Sequence, residues 1–114
     1  MIKKLDFNAL EQPVLELTLK DEAKTAVRVT APTEELVERL TAASGELQKV
    51  INDNTGEAIR AMFELVADLM NYNMEGLTFT AQALRDTYKM KLYDLTVFIK
   101  IYLEFIQELN SAKN

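Results

Sequence analysis

The sequence predicts an α+β fold, in which an N-terminal β-hairpin of two or three strands is followed by a bundle of three or four mostly antiparallel helices. Apolar residues alternate with polar ones before residue 31, and beyond it they recur at helical spacing. The chain has 114 residues, 48% of them hydrophobic, which suits one domain with one core, since domains commonly have roughly 100–150 residues. We therefore expect a single domain, 1–114, with a hairpin segment at 1–31 and a helical segment at 32–114.

Two short segments have the period-2 pattern of half-buried strands. Leucines alternate with polar residues in Val14–Leu19, and valines do so in Ala26–Thr30, with Lys20–Lys24 as the turn. A shorter alternating piece, Leu5–Phe7, is a candidate third strand. Because a lone hairpin is only marginally stable, the sheet must lie against the helices or pair with another subunit.

The first helix is predicted to begin after Pro32. Thr33 can accept a hydrogen bond from the first turn, and the acidic residues that follow it complement the positive end of the helix dipole. The apolar positions of this helix then fall on one face: Leu36, Leu40, Ala43, Leu47, Val50 and Ile51.

Polar and glycine residues divide the remaining helices. Asn54 and Glu57 have capping-box spacing and predict the start of a second helix, which is expected to run to about Glu75 with Gly76 as its left-handed C-terminal residue. Thr78 or Thr80 opens a third helical segment. The pattern then continues to about Asn110, with a possible break near Lys91.

Two of these helices carry wider apolar faces than a surface helix needs. At 100° per residue the first helix has an apolar stripe of about 140°, but the second has about 240° and the last about 200°. The second helix is therefore predicted to be central. Burying both wide faces within one small domain is difficult, so we expect part of this surface to bind a partner. The candidate partner-binding residues are Phe98, Ile101, Leu103, Phe105, Met70 and Met74.

The composition excludes several kinds of chemistry. There is no Cys and no His, so the usual ligands of zinc, copper and iron–sulfur clusters are missing, as are a thiolate nucleophile and a histidine proton shuttle. The chain carries 18 acidic and 13 basic residues, with a net charge of −5, which disfavours binding to nucleic acid. We expect no catalytic, cofactor-binding or metal-binding residue and no enzymatic activity.

The remaining chemical patterns each have a plain structural interpretation. Acidic residues at helix spacing, such as Glu104 and Glu108, fit a solvated face better than an acid–base pair. Asp53–Glu57 lacks the spacing of a calcium loop and fits a turn. The methionines at 62, 70, 74 and 90 fit either core filling or an adaptable peptide-binding surface.

Targeting signals are not expected. The start resembles the basic part of a signal peptide, but polar residues such as Asp6 and Asn8 occupy the place of its apolar part. The most apolar window, Leu95–Ile106, is interrupted by Lys100 and Glu104 and is too short to span a membrane. We therefore expect a soluble protein of the cytoplasm that binds neither membrane nor nucleic acid.

The order of these segments resembles the small tail assembly chaperones of long-tailed bacteriophages and prophages. The resemblance is to a layout: the acidic opening Leu5–Phe7, a hydrophobic hairpin, a Pro-Thr-Glu-Glu-Leu helix start at Pro32–Leu36, an apolar middle helix, and the ending Tyr102–Ile106 followed by Lys113–Asn114. None of these segments is a diagnostic motif.

The resemblance implies a function in virus assembly. Members of this group bind the long, hydrophobic, helical tape measure protein, keep it soluble and help tail tube subunits to assemble around it. The expected partners are therefore the tape measure protein, tail tube subunits and further copies of the chain, in the cytoplasm of the host cell. The alternatives are a structural tail or head–tail connector subunit and another kind of helical protein-interaction module.

Overall fold

The computed structural model describes residues 1–7, 13–53 and 56–111, and it has the predicted α+β fold. An antiparallel two-stranded hairpin precedes four helices. The elements in chain order are β1 (Leu15–Thr18), β2 (Ala26–Val29), α1 (Glu34–Asp53), α2 (Gly56–Met70), α3 (Ala81–Asp86) and α4 (Leu92–Ser111).

The hairpin pairs Leu15 with Val29 and Thr18 with Ala26. Its turn is closed by a hydrogen bond from the N–H of Lys24 to the carbonyl of Asp21, at 3.0 Å. Lys24 adopts a left-handed conformation with φ 51°, and the Asp21 carboxylate accepts bonds from the N–H and hydroxyl of Thr25. These bonds lower the pKa of Asp21. The Asp21 side chain therefore stabilises the turn through hydrogen bonds, although the loop contains no glycine.

Leu5–Phe7 does not form the predicted third strand. The loop after α2 lies beside β2 instead, where Asn73 forms a bridge with Val29. The N–H of Thr30 donates to the carbonyl of Tyr72 at 2.7 Å, and the N–H of Met74 donates to the carbonyl of Arg28 at 3.0 Å. A loop thus covers the edge of β2.

Helix α1 begins as predicted. The Thr33 hydroxyl accepts a 3.3 Å hydrogen bond from the N–H of Leu36, and Leu36 and Leu40 are buried in the core. The side chains of Leu47, Val50 and Ile51 lie outside the described part of the structure, and so does Asn54, the predicted cap of the second helix.

Helix α2 ends at Met70, so the prediction that it continues to about Glu75 is wrong. Asn73 accepts from the N–H groups of Glu75 and Leu77 and donates to the carbonyls of Met70 and Leu77, with all four distances between 2.8 and 3.1 Å. Asn71 likewise exchanges two bonds with the main chain of Phe79. The side-chain amides replace helical hydrogen bonds with bonds to the main chain of the loop. The helix therefore ends here.

The helical region after this loop divides where the sequence predicts. The Thr80 hydroxyl caps α3 by accepting from the N–H of Ala83 at 3.0 Å. The predicted break near Lys91 is confirmed, because α4 begins at Leu92. Gly76 has the expected positive φ of 71°, but it lies within the loop rather than at a helix end.

Helix α2 is the centre of the core, as its wide apolar arc predicts. It contacts α1, α3 and α4, and seven of its residues are buried: Met62, Phe63, Leu65, Val66, Ala67, Leu69 and Met70. Valines 27 and 29 of β2 are fully buried in the same core. The hairpin is therefore held by the helices.

Candidate functional site

An open apolar groove lies between β1 and the first half of α4. It encloses ≈ 430 Å³. Buried Met70 and Phe98 contribute to its lining, together with three α4 residues that remain exposed: Tyr93 at 77%, Val97 at 42% and Ile101 at 39%. The described residues leave this apolar surface open.

The exposed α4 residues form one continuous row. Tyr93, Val97 and Ile101 are spaced by four positions, so they lie one above another on the same side of the helix. With a rise of 1.5 Å per residue, the row is about 12 Å long. This is the length of about two helical turns of a binding partner.

The other wall of the groove is the free edge of the hairpin. The N–H groups of Thr30 and Arg28 point away from β1, towards Tyr72 and Glu75. Bonding alternates along an antiparallel pair, so in β1 the main-chain groups of Glu16 and Thr18 point outward, and no partner for them occurs among the described residues.

An ion pair closes one end of the groove. The Lys20 ammonium lies 2.6 Å from a carboxylate oxygen of Asp94, and the same oxygen accepts from the N–H of Lys91 at 2.8 Å. Partial burial alone would raise the pKa of Asp94, but the hydrogen bonds from Lys20 and Lys91 outweigh it, and the pKa is lowered. Asp94 thus caps α4 and ties the hairpin to it.

Three of the six candidate partner-binding residues come together here. Met70 and Phe98 line the groove as buried residues, and Ile101 belongs to its exposed row. Of the other methionines, Met62 is buried in the core, whereas Met90 is half-buried and lines the groove.

The other three candidates lie elsewhere. Phe105 is 7% exposed and packs its ring edge against Tyr102, with centroids 5.7 Å apart. It is a core residue. Leu103 is half-buried against the core. Met74 is exposed on the loop beside β2, because the chain has left α2 by that point.

Sequence reasoning missed Tyr93 and Val97, which form most of the exposed row. Both lie beyond the edge of the wide apolar arc of the last helix, and the candidates on this helix were taken from within that arc. Their four-residue spacing with Ile101 is the signal that identifies them, since a second apolar row beside a core-facing row indicates a second contact surface.

The described residues offer little for acid–base or metal chemistry. Among the side chains that the structure describes, none that carries a charge is buried, and no group of three acidic residues lies close enough to hold a metal ion. Within the described residues, no helix combines the length with the apolar character that a membrane crossing requires.

A second apolar surface lies at the N-terminus. Ile2, Leu5 and Phe7 are 83%, 65% and 70% exposed. These side chains alternate with charged neighbours and do not line the groove.

Comparison of the chain with protein-family models, with curated proteins and with solved structures finds no match. The groove, its exposed row and the free strand edge are therefore the features from which a function is inferred.

Proposed function

We propose that this protein is a non-enzymatic tail assembly chaperone, which binds the hydrophobic helical tape measure protein of a long-tailed phage and assists assembly of the tail tube. The layout of the sequence suggests the class of protein, and the groove supports the mechanism. In this proposal the protein acts in the cytoplasm of the host cell.

The observation that carries the proposal is the exposed row of Tyr93, Val97 and Ile101 above an apolar floor. An amphipathic helix presents apolar residues at the same four-residue spacing, so its row packs beside this one. Covering each partly exposed side chain contributes about 1–2 kcal/mol. Such a contact is sufficient for reversible binding of a client.

The charge of the chain favours a chaperone that keeps its client in solution. Its net charge is −5, and like-charged complexes repel one another. The apolar groove holds the client helix while the acidic remainder of the surface disperses the complex.

Co-expression with a candidate tape measure protein tests the proposal. The client is expected to remain soluble and to elute with the chaperone, and the double variant Tyr93→Ser, Val97→Ser is expected to lose both effects. The matched control is Tyr72→Ser, which removes a tyrosine that is 41% exposed and lies outside the groove.

A client that stays insoluble beside the unmodified chaperone would overturn the proposed function. Equal loss of binding in the Tyr72 control would overturn the groove as the site. The neighbouring genes give an independent check, since a tail tube gene upstream and a very long helical reading frame downstream are expected.

The open edge of β1 favours a second candidate, a structural tail or connector subunit that pairs with one neighbour through the hairpin and uses a further surface for any ring. Purified virions separate the two functions. A structural subunit is present there in fixed proportion to the tail tube protein, whereas an assembly chaperone is absent.

A further inference from the structure

We propose that β1 is the self-association site of this chain: a second copy adds its own β1 antiparallel to the first, across a two-fold axis through Thr18. The proposal goes beyond the assembly function: a second copy and a client compete for the same groove, and self-association is tested with this chain alone.

The first reason is the hydrogen-bonding edge. The main-chain groups of Glu16 and Thr18 point away from β2, and neither residue has a main-chain partner among the described residues. An antiparallel strand placed beside β1 meets these groups at every second residue. With Thr18 on the axis, each copy supplies the donors and acceptors that the other lacks.

The second reason is that the same operation covers the apolar groove. Adjacent strands lie about 4.8 Å apart, and opposed residues share a face of the sheet. Leu15 and Leu17 are half-buried on the face that packs against the helices. Because the two-fold axis keeps the helices of both copies on this one face of the joined sheet, the two exposed rows of Tyr93, Val97 and Ile101 face each other.

The third reason is charge, which also selects the register. An axis through Thr18 places Glu16 of one copy opposite Lys20 of the other, and symmetry makes this contact twice. The Lys20 ammonium lies 2.6 Å from the Asp94 carboxylate of its own chain, so each contact adds Glu16 to an existing ion pair. Opposite charges on directly facing strand residues stabilise the pairing, whereas like charges destabilise it. The edge, the groove and the charges thus all fit a second copy of this chain.

The sharpest test uses two single charge reversals, Glu16→Lys and Lys20→Glu. Each variant alone places two like-charged pairs across the axis, so its dimer is expected to be at least about tenfold weaker by sedimentation velocity. Lys20→Glu also removes the ion pair with Asp94, so its circular dichroism is first compared with that of the unmodified protein. An equal mixture restores opposite charges at both positions, and the heterodimer is expected to recover the original affinity.

Arg60→Glu is the matched control for Lys20→Glu, because it also replaces a basic residue with an acidic one, at an exposed position outside the groove. Its dimer is expected to keep the original affinity. Failure of the mixture to associate better than its components, or equal weakening by the control, overturns the register and the pairing.

A backbone variant tests the edge itself. Thr18→Pro removes an outward N–H, which a monomeric edge strand tolerates, so circular dichroism is expected to remain unchanged while the dimer is lost. A dimer that persists overturns strand pairing. If this variant unfolds, the charge mixture still decides the question.

The same dimerisation measurement distinguishes a second copy from two other occupants of the groove, the N-terminal segment and a client. The double variant Leu5→Ser, Phe7→Ser is expected to dimerise normally, and loss of its dimer would assign the groove to the N-terminal segment instead. An unmodified chain that remains monomeric at every concentration overturns self-association and leaves the groove to a client.

Discussion

The two edges of the hairpin differ in whether their main-chain groups have hydrogen-bond partners. The edge of β2 is covered by the loop after α2 through the Asn73 bridge, and the Glu75 carboxylate accepts from both the N–H and the side chain of Arg28. These bonds lower the pKa of Glu75. The edge of β1 has no such cover among the described residues. The covered edge therefore stabilises the fold, whereas the open edge is available for binding.

Helix α4 has the same contrast between its sides. Leu95, Ile99 and Tyr102 are fully buried, while Tyr93 and Val97 are exposed beside the groove. Substitutions on the two sides of α4, like those on the two edges, should therefore affect different measurements.

The largest effect is expected from Phe105→Glu. It places an unpaired carboxylate in the core, which costs about 4 kcal/mol or more, comparable to the whole stability of many domains. Ile101→Glu is the matched variant on the open side and is expected to change the free energy of unfolding by less than about 1 kcal/mol. Urea denaturation followed by circular dichroism measures both. A folded Phe105→Glu variant would contradict the division of α4.

Asn73→Ala is expected to have the next largest effect. It removes four hydrogen bonds to the loop that covers β2 and leaves partly buried main-chain groups without partners, so the free energy of unfolding should fall by about 3 kcal/mol. Gln82→Ala serves as control, because Gln82 is exposed on α3. A urea midpoint equal to that of the control would show that the loop does not stabilise β2.

Tyr102→Phe is expected to cost about 1 kcal/mol. The phenol donates a 3.2 Å hydrogen bond to the carbonyl of Thr30, next to the end of β2, and Phe keeps the ring packing. Denaturation near neutral pH measures this difference.

The unmodified protein and Tyr102→Phe also test how the free energy of unfolding depends on pH. Burial raises the pKa of Tyr102 above its ordinary value, which is about 10. As pH rises above this value, the unfolded chain loses a proton that the folded chain retains, so unfolding becomes more favourable. The stability advantage of the unmodified protein over Tyr102→Phe should shrink above about pH 10. An advantage that stays constant would contradict burial of the hydroxyl.

Local rules predicted most of the fold. Alternating leucines and valines located the hairpin, Thr33 located one helix start, and a second start was narrowed to Thr78 or Thr80, because each signal depends only on neighbouring residues. The end of α2 could not be found this way. Apolar residues continue at helical spacing through Tyr72 and Met74, and only the tertiary structure shows that Asn71 and Asn73 bond the main chain of the following loop.

The candidate site was predicted less well, for a related reason. Met70, Phe98 and Ile101 were chosen from the width of an apolar arc, which measures one helix alone. The groove also depends on where β1 lies relative to α4. This placement involves residues far apart in the chain, such as Lys20 and Asp94, and sequence periodicity does not contain it.

The loop that covers β2 also limits how many neighbours the hairpin can pair with. A hairpin with two free edges adds copies on both sides, and edge-to-edge growth then has no natural end. Asn73 and its neighbours occupy the edge of β2, so among the described residues only the edge of β1 stays open. In the dimer that we propose, pairing through β1 uses that edge, and a larger ring would require a different contact surface.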